Sequence, residues 1–195
     1  MCSSDLERFS STAGVGPEWR PVPMMISVDP PDHTRLRRLV QREFTPRAIA
    51  GWDERVVGII DDALDEFLTA GGGDLAAGVA HPIPIAVIAD MLDVPTDRRA
   101  DFKRWSDDTI DALGAGLDAE ASMRVEISII EFAQYFAGVI AERRRAPGKD
   151  LLSLLVDPAN GETLSDGDLV SFAILLLVAG NETTTNLIEI GRAHV

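Results

Sequence analysis

The sequence predicts a mainly α-helical fold, and three observations support that prediction. Apolar residues recur three and four positions apart through most of the chain, which is the period of a helix buried on one face. Gly, Pro and capping residues separate these segments. Only one short stretch, Asp74 to Ala77, has the character of a strand. With 195 residues, 46% of them hydrophobic, the chain can bury a core as one domain or part of a larger one.

The first predicted helix runs from about His33 to Phe44. Residues 29–32, Asp-Pro-Pro-Asp, precede it and offer capping carboxylates and a proline for the first helical turn. The spacing separates an apolar face from a basic one. The apolar face contains Leu36, Leu39 and Val40, and the basic one Arg35, Arg38 and Arg42.

Later segments predict further helices, with Pro82 and Pro84 in an opening turn, Thr96 as a cap, and Ser165 with Asp168 at capping-box spacing. The three glycines Gly71-Gly72-Gly73 end the helix predicted at residues 52–68. The predicted spans are 52–68, 82–94, 96–113, 117–145, 151–156 and a last helix from about 165.

Composition excludes several classes of function. A net charge of −14, from 32 acidic and 18 basic residues, disfavours a surface that follows nucleic-acid phosphates. The longest apolar stretch has nine residues, Phe172 to Gly180, against roughly 20 for a membrane span. One cysteine cannot form an internal disulfide, and no basic-then-apolar leader opens the chain. We therefore expect a cytoplasmic protein that binds neither nucleic acid nor membrane.

The most informative segment is residues 179–185, Ala-Gly-Asn-Glu-Thr-Thr-Thr, which continues an apolar run from Val170 to Val178. If this helix is buried, Glu182 must be hydrogen-bonded, hydrated or neutral, because an isolated buried charge is costly. Gly180 and Thr183 predict a local distortion of the helix. A carboxylate beside hydroxyls at such a place is typical of an oxygen-activating site.

Four segments in this order resemble the bacterial, soluble cytochrome P-450 superfamily of haem-thiolate monooxygenases. They are residues 9–11 (Phe-Ser-Ser), 29–40, 82–95 and 175–188. One departure is Asp93, where relatives usually carry Gly. The resemblance implies a partial cytochrome P-450 fold, helices C to I, from the B–C region through the I helix. The N-terminal sheet region, the K helix and the Cys haem-ligand loop would be absent.

The resemblance also implies a cofactor, heme b (iron protoporphyrin IX), and a site for it. His33 and Arg37, four apart on one helix face, would bind a haem propionate, since Arg can fork onto a carboxylate. Electrons would come from NAD(P)H through a ferredoxin or flavodoxin. Such an acidic donor could dock on the basic face formed by Arg35, Arg38 and Arg42, a hypothesis that rests on charge.

In the last helix, the resemblance assigns Ala179 and Gly180 to the oxygen-binding side of the haem. Glu182 and Thr183 would be the catalytic acid and alcohol pair, because cleavage of dioxygen requires two protons at the distal oxygen. Leu175 and Val178 would line the pocket for a small organic substrate. The parent enzyme would insert one oxygen atom into that substrate.

The metal ligand of the family is not expected in this chain. Its thiolate comes from a Phe-x-x-Gly-x-x-x-Cys-x-Gly loop, and the only cysteine, Cys2, has none of those neighbours. We therefore expect the chain alone to be inactive. Residues 1–6 and 189–195 back-translate into inverted copies of one oligonucleotide, which predicts sequencing-adapter ends and a genuine monooxygenase fragment over residues 7–188 within the single partial domain 1–195.

Two other classes of function stay open. One is a non-catalytic, all-helical protein that binds haem or a small ligand; haem titration without turnover would support it, and a downstream Cys loop in the source gene would exclude it. The other is the helical ligand domain of a transcriptional regulator. The acidic charge and the lack of a recognition-helix motif count against this last class.

Overall fold

A computed structural model describes residues 10–12, 24–111, 116–157 and 162–192. Within these ranges the fold is mainly helical, as predicted, and contains no β-strand. Eight α-helices follow in order: α1 (Asp32–Gln41), α2 (Pro46–Ala50), α3 (Asp53–Thr69), α4 (Pro82–Met91), α5 (Arg99–Asp111), α6 (Ala119–Arg145), α7 (Leu151–Val156) and α8 (Asp166–Arg192). Shorter helical turns are the 3-10 helices Met25–Ser27, Arg42–Phe44 and Thr96–Arg98 and the π-helix Ala76–Ala80. Cys2, the helix end predicted near Leu113, and residues 1–6 and 193–195 lie outside the described ranges.

The predicted helix spans are confirmed to within a few residues wherever they are described, because capping residues mark the ends. Asp118 and Asp150 accept hydrogen bonds from the backbone N–H groups of Ala121 (2.8 Å) and Ser153 (3.0 Å), which start α6 and α7. Ser165 and Asp168 form the predicted capping box of α8, with bonds of 3.1 and 3.3 Å between side chain and backbone.

Three local predictions were wrong. The strand expected at residues 74–77 is helical, because Asp74 Oδ1 accepts the N–H of Ala76 (2.8 Å) and turns the chain into the π-helix. Thr96 is the first residue of a 3-10 helix, and Pro95 occupies the cap position. Asp29 does not cap α1; it accepts hydrogen bonds from Ser10 Oγ (2.6 Å) and the Ser11 N–H (3.0 Å).

The core forms where α5 and α6 pack on α8. Phe102, Trp105, Phe132 and Phe136 from α5 and α6 are at most 2% exposed, and their rings meet at centroid distances between 4.5 and 6.3 Å. Such aromatic contacts add to the free energy that burial itself contributes. The middle of α8 is thereby enclosed on one side. No helix in the described part of the chain is long and apolar enough to cross a membrane.

The basic end of α6 is held by acids from three other segments. Arg143 binds Asp150 Oδ2 (2.8 Å) and Asp93 Oδ2 (2.7 Å), and Arg144 binds Asp166 Oδ1 (2.7 Å). The Asp150 side chain is almost fully buried in its pair, so these charges fix α7 and the start of α8 against α6.

Asp93 stands at a position where the sequence pattern described above usually has Gly. Its backbone conformation explains why Gly is usual there. Its φ of 52° lies in the left-handed region, which Gly adopts without steric cost and residues with a Cβ do not. Asp93 is tolerated here with its carboxylate bound to Arg143, at 2.7 Å.

We predict that the free energy of unfolding is about 1 kcal/mol lower for Asp93→Ala than for Asp93→Gly, because both variants lose the Arg143 contact and only alanine keeps a strained Cβ. The free energy of unfolding in urea measures this difference. Equal stability of the two variants would show that the left-handed backbone at this position is not retained.

Candidate functional site

Helix α8 has two faces of opposite character, and the candidate site follows from them. One face is buried against α4, α5, α6 and the π-helix, and its residues at three and four spacing are Leu169, Phe172, Ala173, Leu177, Asn181 and Thr185. The opposite face is exposed at Ala179, Glu182, Thr183, Asn186, Leu187 and Ile190; we call it the open face. A helix repeat of 3.6 residues puts these six on the side turned away from Asn181.

Glu182 lies on the open face, where its carboxylate is open to hydration, one of the three alternatives expected for it. Its exposed carboxylate is accessible to solvent and needs no buried partner. The apolar run that precedes it is itself divided between the two faces: Leu177 is 1% exposed, whereas Val178 is only half-buried. The sequence run alone does not reveal which side of the helix is covered.

The Ala179-to-Thr183 turn is helical throughout, and the predicted distortion is absent: α8 continues as an α-helix from residue 166 to 192. The Thr183 hydroxyl nevertheless bonds back to the preceding turn, since its Oγ1 donates to the Ala179 carbonyl at 2.7 Å. Ala179 and Thr183 are therefore neighbours on the open face, one turn apart.

Gly180 faces α4 and not the open face. A Cβ added there would lie 3.0 Å from Ile88 Cδ1, closer than most contacts between a Cβ and a side chain. Glycine at this position thus allows α4 and α8 to pack closely. Its role as a cofactor contact stays a prediction. Ala179, the preceding residue, is exposed on the open face.

The two residues proposed for substrate contact lie earlier on α8. Leu175 and Val178 are both half-buried. Leu175 is one turn before Ala179 and continues the open face toward the start of the helix, and Val178 lies at the border between the two faces. Their contact with substrate stays a prediction.

His33 and Arg37 lie one turn apart on α1, as the spacing predicts. His33 is half-buried and Arg37 is exposed. Hydrogen bonds from Ser10 and Ser11, with a smaller contribution from the His33 charge, lower the pKa of Asp29. Among the residues that the structure describes, none forms a hydrogen bond or ion pair with the Arg37 guanidinium.

The other arginines of α1 are paired. Arg35 and Arg38 both bind Glu162, at 3.3 and 3.0 Å, and Arg35 also approaches Asp168 at 3.9 Å. Arg42 lies 3.4 Å from Glu43. These pairs attach α1 to the start of α8, and much of the predicted basic face is neutralised by acids of this chain. Arg37 differs from them because it has no hydrogen-bond or ion-pair partner among the described residues.

Sequence reasoning missed a buried polar network on the covered side of α8. Asn181 Nδ2 donates to Ser106 Oγ on α5 (2.7 Å), and Thr185 Oγ1 contacts the Ala80 carbonyl and Asn181 Oδ1, each at 3.3 Å. All three side chains that form it are at most 5% exposed. The signal was available, because Asn181 and Thr185 continue the helical spacing of Ala173 and Leu177.

No group of three or more His, Cys, Asp or Glu side chains that could hold a metal ion occurs in the part of the chain that the structure describes. At the turn from Ala179 to Thr183 the open face presents one methyl group, one carboxylate and one hydroxyl. Such a set can hold water and transfer protons.

Comparisons with known proteins agree on one family, although no family model matches the chain. Over 167 residues the chain is 41% identical to cytochrome P-450 107B1 of Saccharopolyspora erythraea, a match that covers 85% of this chain and 40% of that protein. It is 42% identical to a vitamin D(3) 25-hydroxylase of Pseudonocardia autotrophica, with 88% and 41% covered. The crystal structure of substrate-free CYP109E1 from Bacillus megaterium superposes with a TM-score of 0.77 at 36% identity, covering 88% of this chain and 46% of that one. The chain thus spans somewhat less than half the length of these relatives.

We predict that cysteines placed two residues apart on α8 differ in reactivity, because Thr183 is exposed and Thr185 is 5% exposed. In a Cys2→Ser background, the Thr183→Cys thiol should react with iodoacetamide at least about ten times faster than the Thr185→Cys thiol, which reacts only on local opening. Labelling followed by mass spectrometry gives both rates. Equal rates in the folded chain would contradict the assignment of the two faces.

Proposed function

Because the chain belongs to the cytochrome P-450 superfamily, we propose that it is part of a haem-dependent monooxygenase that inserts one atom of dioxygen into a small organic substrate. The chain spans only part of its relatives, so this activity is proposed for the enzyme to which these residues belong. The observation that carries the proposal is the open face of α8, where Ala179, Glu182 and Thr183 are exposed together.

Arg37 and His33 fit a carboxylate of the cofactor. Arg37 has no partner among the described residues, whereas Arg35 and Arg38 are both engaged with Glu162. Its planar guanidinium can form two parallel bonds to one carboxylate, and His33, a turn earlier, adds a third donor. These residues would hold a haem propionate, and haem would supply the binding and reduction of dioxygen.

The open face offers an apolar surface to a flat group. Ala179 has a single methyl group, and Gly180 keeps its backbone close to α4, so α8 is narrow at this turn. Bulkier side chains there would hold a planar ligand away from the backbone. A group lying on Ala179 would have Thr183 and Glu182 at its margin, one turn and less than one turn further on.

Thr183 has a defined hydrogen-bonding capacity in this geometry. Its proton is donated to the Ala179 carbonyl at 2.7 Å, which leaves the two lone pairs of Oγ1 to accept bonds from water or from a protonated oxygen. In this role the hydroxyl orients a water molecule. Donation by Thr183 to a bound group would require rotation of the hydroxyl about its Cβ–Oγ1 bond, which would exchange the Ala179 bond for one to that group.

Glu182 supplies protons from solvent. Its carboxylate is exposed to bulk water, and Thr183 is the next residue in the chain. Glu182 would pass a proton to a water held at Thr183 Oγ1, and haem, when bound, would supply the dioxygen that accepts it. In this arrangement the acid, Glu182, lies on the solvent side and the alcohol, Thr183, lies beside the bound group. The pair could thus provide the general acid catalysis that oxygen cleavage requires.

We propose that the chain by itself is inactive, because its only cysteine is Cys2 and the family ligand lies in a loop that the sequence lacks. Electron supply from NAD(P)H through a ferredoxin or flavodoxin stays a prediction, as does cytoplasmic localisation. Arg35 and Arg38 are less available to such a donor than the sequence suggested, since both are bound to Glu162.

We predict that Thr183→Ala in the full-length enzyme uncouples the reaction. Product formed per reductant consumed should fall at least about tenfold, because a positioned acid–base group typically contributes about 10²–10⁴-fold to the step it assists, and hydrogen peroxide should appear in its place. Reductant consumption, peroxide and product are measured together with a turnover substrate.

Two matched variants control for packing. Thr183→Ser keeps the hydroxyl, and Thr184→Ala removes a hydroxyl from the next exposed position; both should stay coupled. If Thr183→Ala has wild-type coupling, the role proposed for Thr183 is wrong.

A further inference from the structure

The turn that bears Glu182 and Thr183 is anchored from the side opposite to the open face. Asn181 and Thr185 lie one turn apart on the buried face, immediately before and two residues after this pair. Both point away from the open face because residues 181 and 185 share one side of the helix. The anchor and the proposed catalytic pair therefore belong to the same turn of backbone.

The anchor consists of directional bonds to two other elements. Asn181 Nδ2 binds Ser106 Oγ of α5 at 2.7 Å, and Thr185 Oγ1 lies 3.3 Å from the Ala80 carbonyl at the end of the π-helix. A third contact of 3.3 Å joins Thr185 Oγ1 to Asn181 Oδ1. Apolar packing alone lets a helix rotate slightly about its axis, whereas hydrogen bonds weaken steeply when their angles change.

The burial of this network makes its geometry strict. Ser106 is 0%, Asn181 4% and Thr185 5% exposed, so water cannot replace a lost partner. Gly180 allows α8 to lie close to α4 here, since a Cβ at this position would lie only 3.0 Å from Ile88 Cδ1. A rotation of α8 would separate Asn181 from Ser106.

We propose that Asn181, Ser106 and Thr185 are positioning residues for the Glu182 and Thr183 pair: their buried hydrogen bonds to α5 and the π-helix fix the rotation of this turn of α8. The proposal rests on the function proposed above for Thr183. It assigns no contact with substrate or cofactor to the three residues; they act through the backbone that they hold.

The test separates positioning from stability by removing one partner or both. Asn181→Leu leaves the Ser106 hydroxyl without its partner and should lower stability. The double variant Asn181→Leu/Ser106→Ala replaces both partners by apolar groups, which restores much of the stability. If the pair positions Thr183, coupling of product to reductant in the full-length enzyme falls by up to about tenfold in both variants, because small displacements of a reacting group are costly.

A matched control is Leu155→Ala, which destabilises α7 at a residue 1% exposed without touching this turn. It should remain coupled at temperatures where it is folded. Wild-type coupling in the double variant would overturn the proposal and leave the network a purely structural one. Thr183→Ala in the same assay separates the two claims: if it uncouples and the double variant does not, only the positioning role fails.

A second readout needs no turnover. Nitroxides attached through Thr183→Cys and Ile127→Cys, the latter at a position 47% exposed, report the distance between α8 and α6 in a Cys2→Ser background. The double variant should shift or widen the distance distribution, and Leu155→Ala should not. An unchanged distribution in the double variant would also overturn the proposal.

Discussion

The constraint on which the site depends is the packing of α8 by one face only. Leu169, Ala173 and Leu177 are buried against neighbouring helices, so the opposite side of the same helix is available for a ligand. Because an α-helix is a rigid repeat, covering one side determines which side chains stand on the other. Ala179 and Thr183 are brought together in this way.

The position of α1 depends on apolar packing, with Leu36, Leu39 and Val40 buried, together with ion pairs at its surface. Arg35 and Arg38 neutralise Glu162 near the start of α8, and Phe44 meets Phe172 edge-on at 6.5 Å between ring centroids. These contacts engage Arg35 and Arg38, two arginines of the predicted basic face, and leave Arg37 unpaired among the described residues. Among the arginines of α1 in the described part of the chain, Arg37 is thus the one available to an anionic ligand.

The sequence predicted the helices well because periodicity, caps and breakers are local properties, as at Asp150 and Ser165. It failed where tertiary contacts decide. The strand at 74–77 requires a partner strand, and the Asp74 side chain instead closes a helical turn. The apolar residues before Glu182 do not reveal whether its side chain is buried, because burial depends on which face meets α4 and α5. The family resemblance supplied roles for His33, Arg37 and Thr183, whereas the Asn181–Ser106 bond joins residues 75 positions apart and has no local sequence signal on α5.

The most direct measurement is a crystal structure of the full-length enzyme with its cofactor. Our account predicts that one face of the porphyrin contacts Ala179, with Thr183 Oγ1 beside the oxygen-binding position, and that a propionate is hydrogen-bonded to Arg37 and His33. A porphyrin that lies away from the open face of α8, or propionates bound by other residues while Arg37 points to solvent, would contradict it.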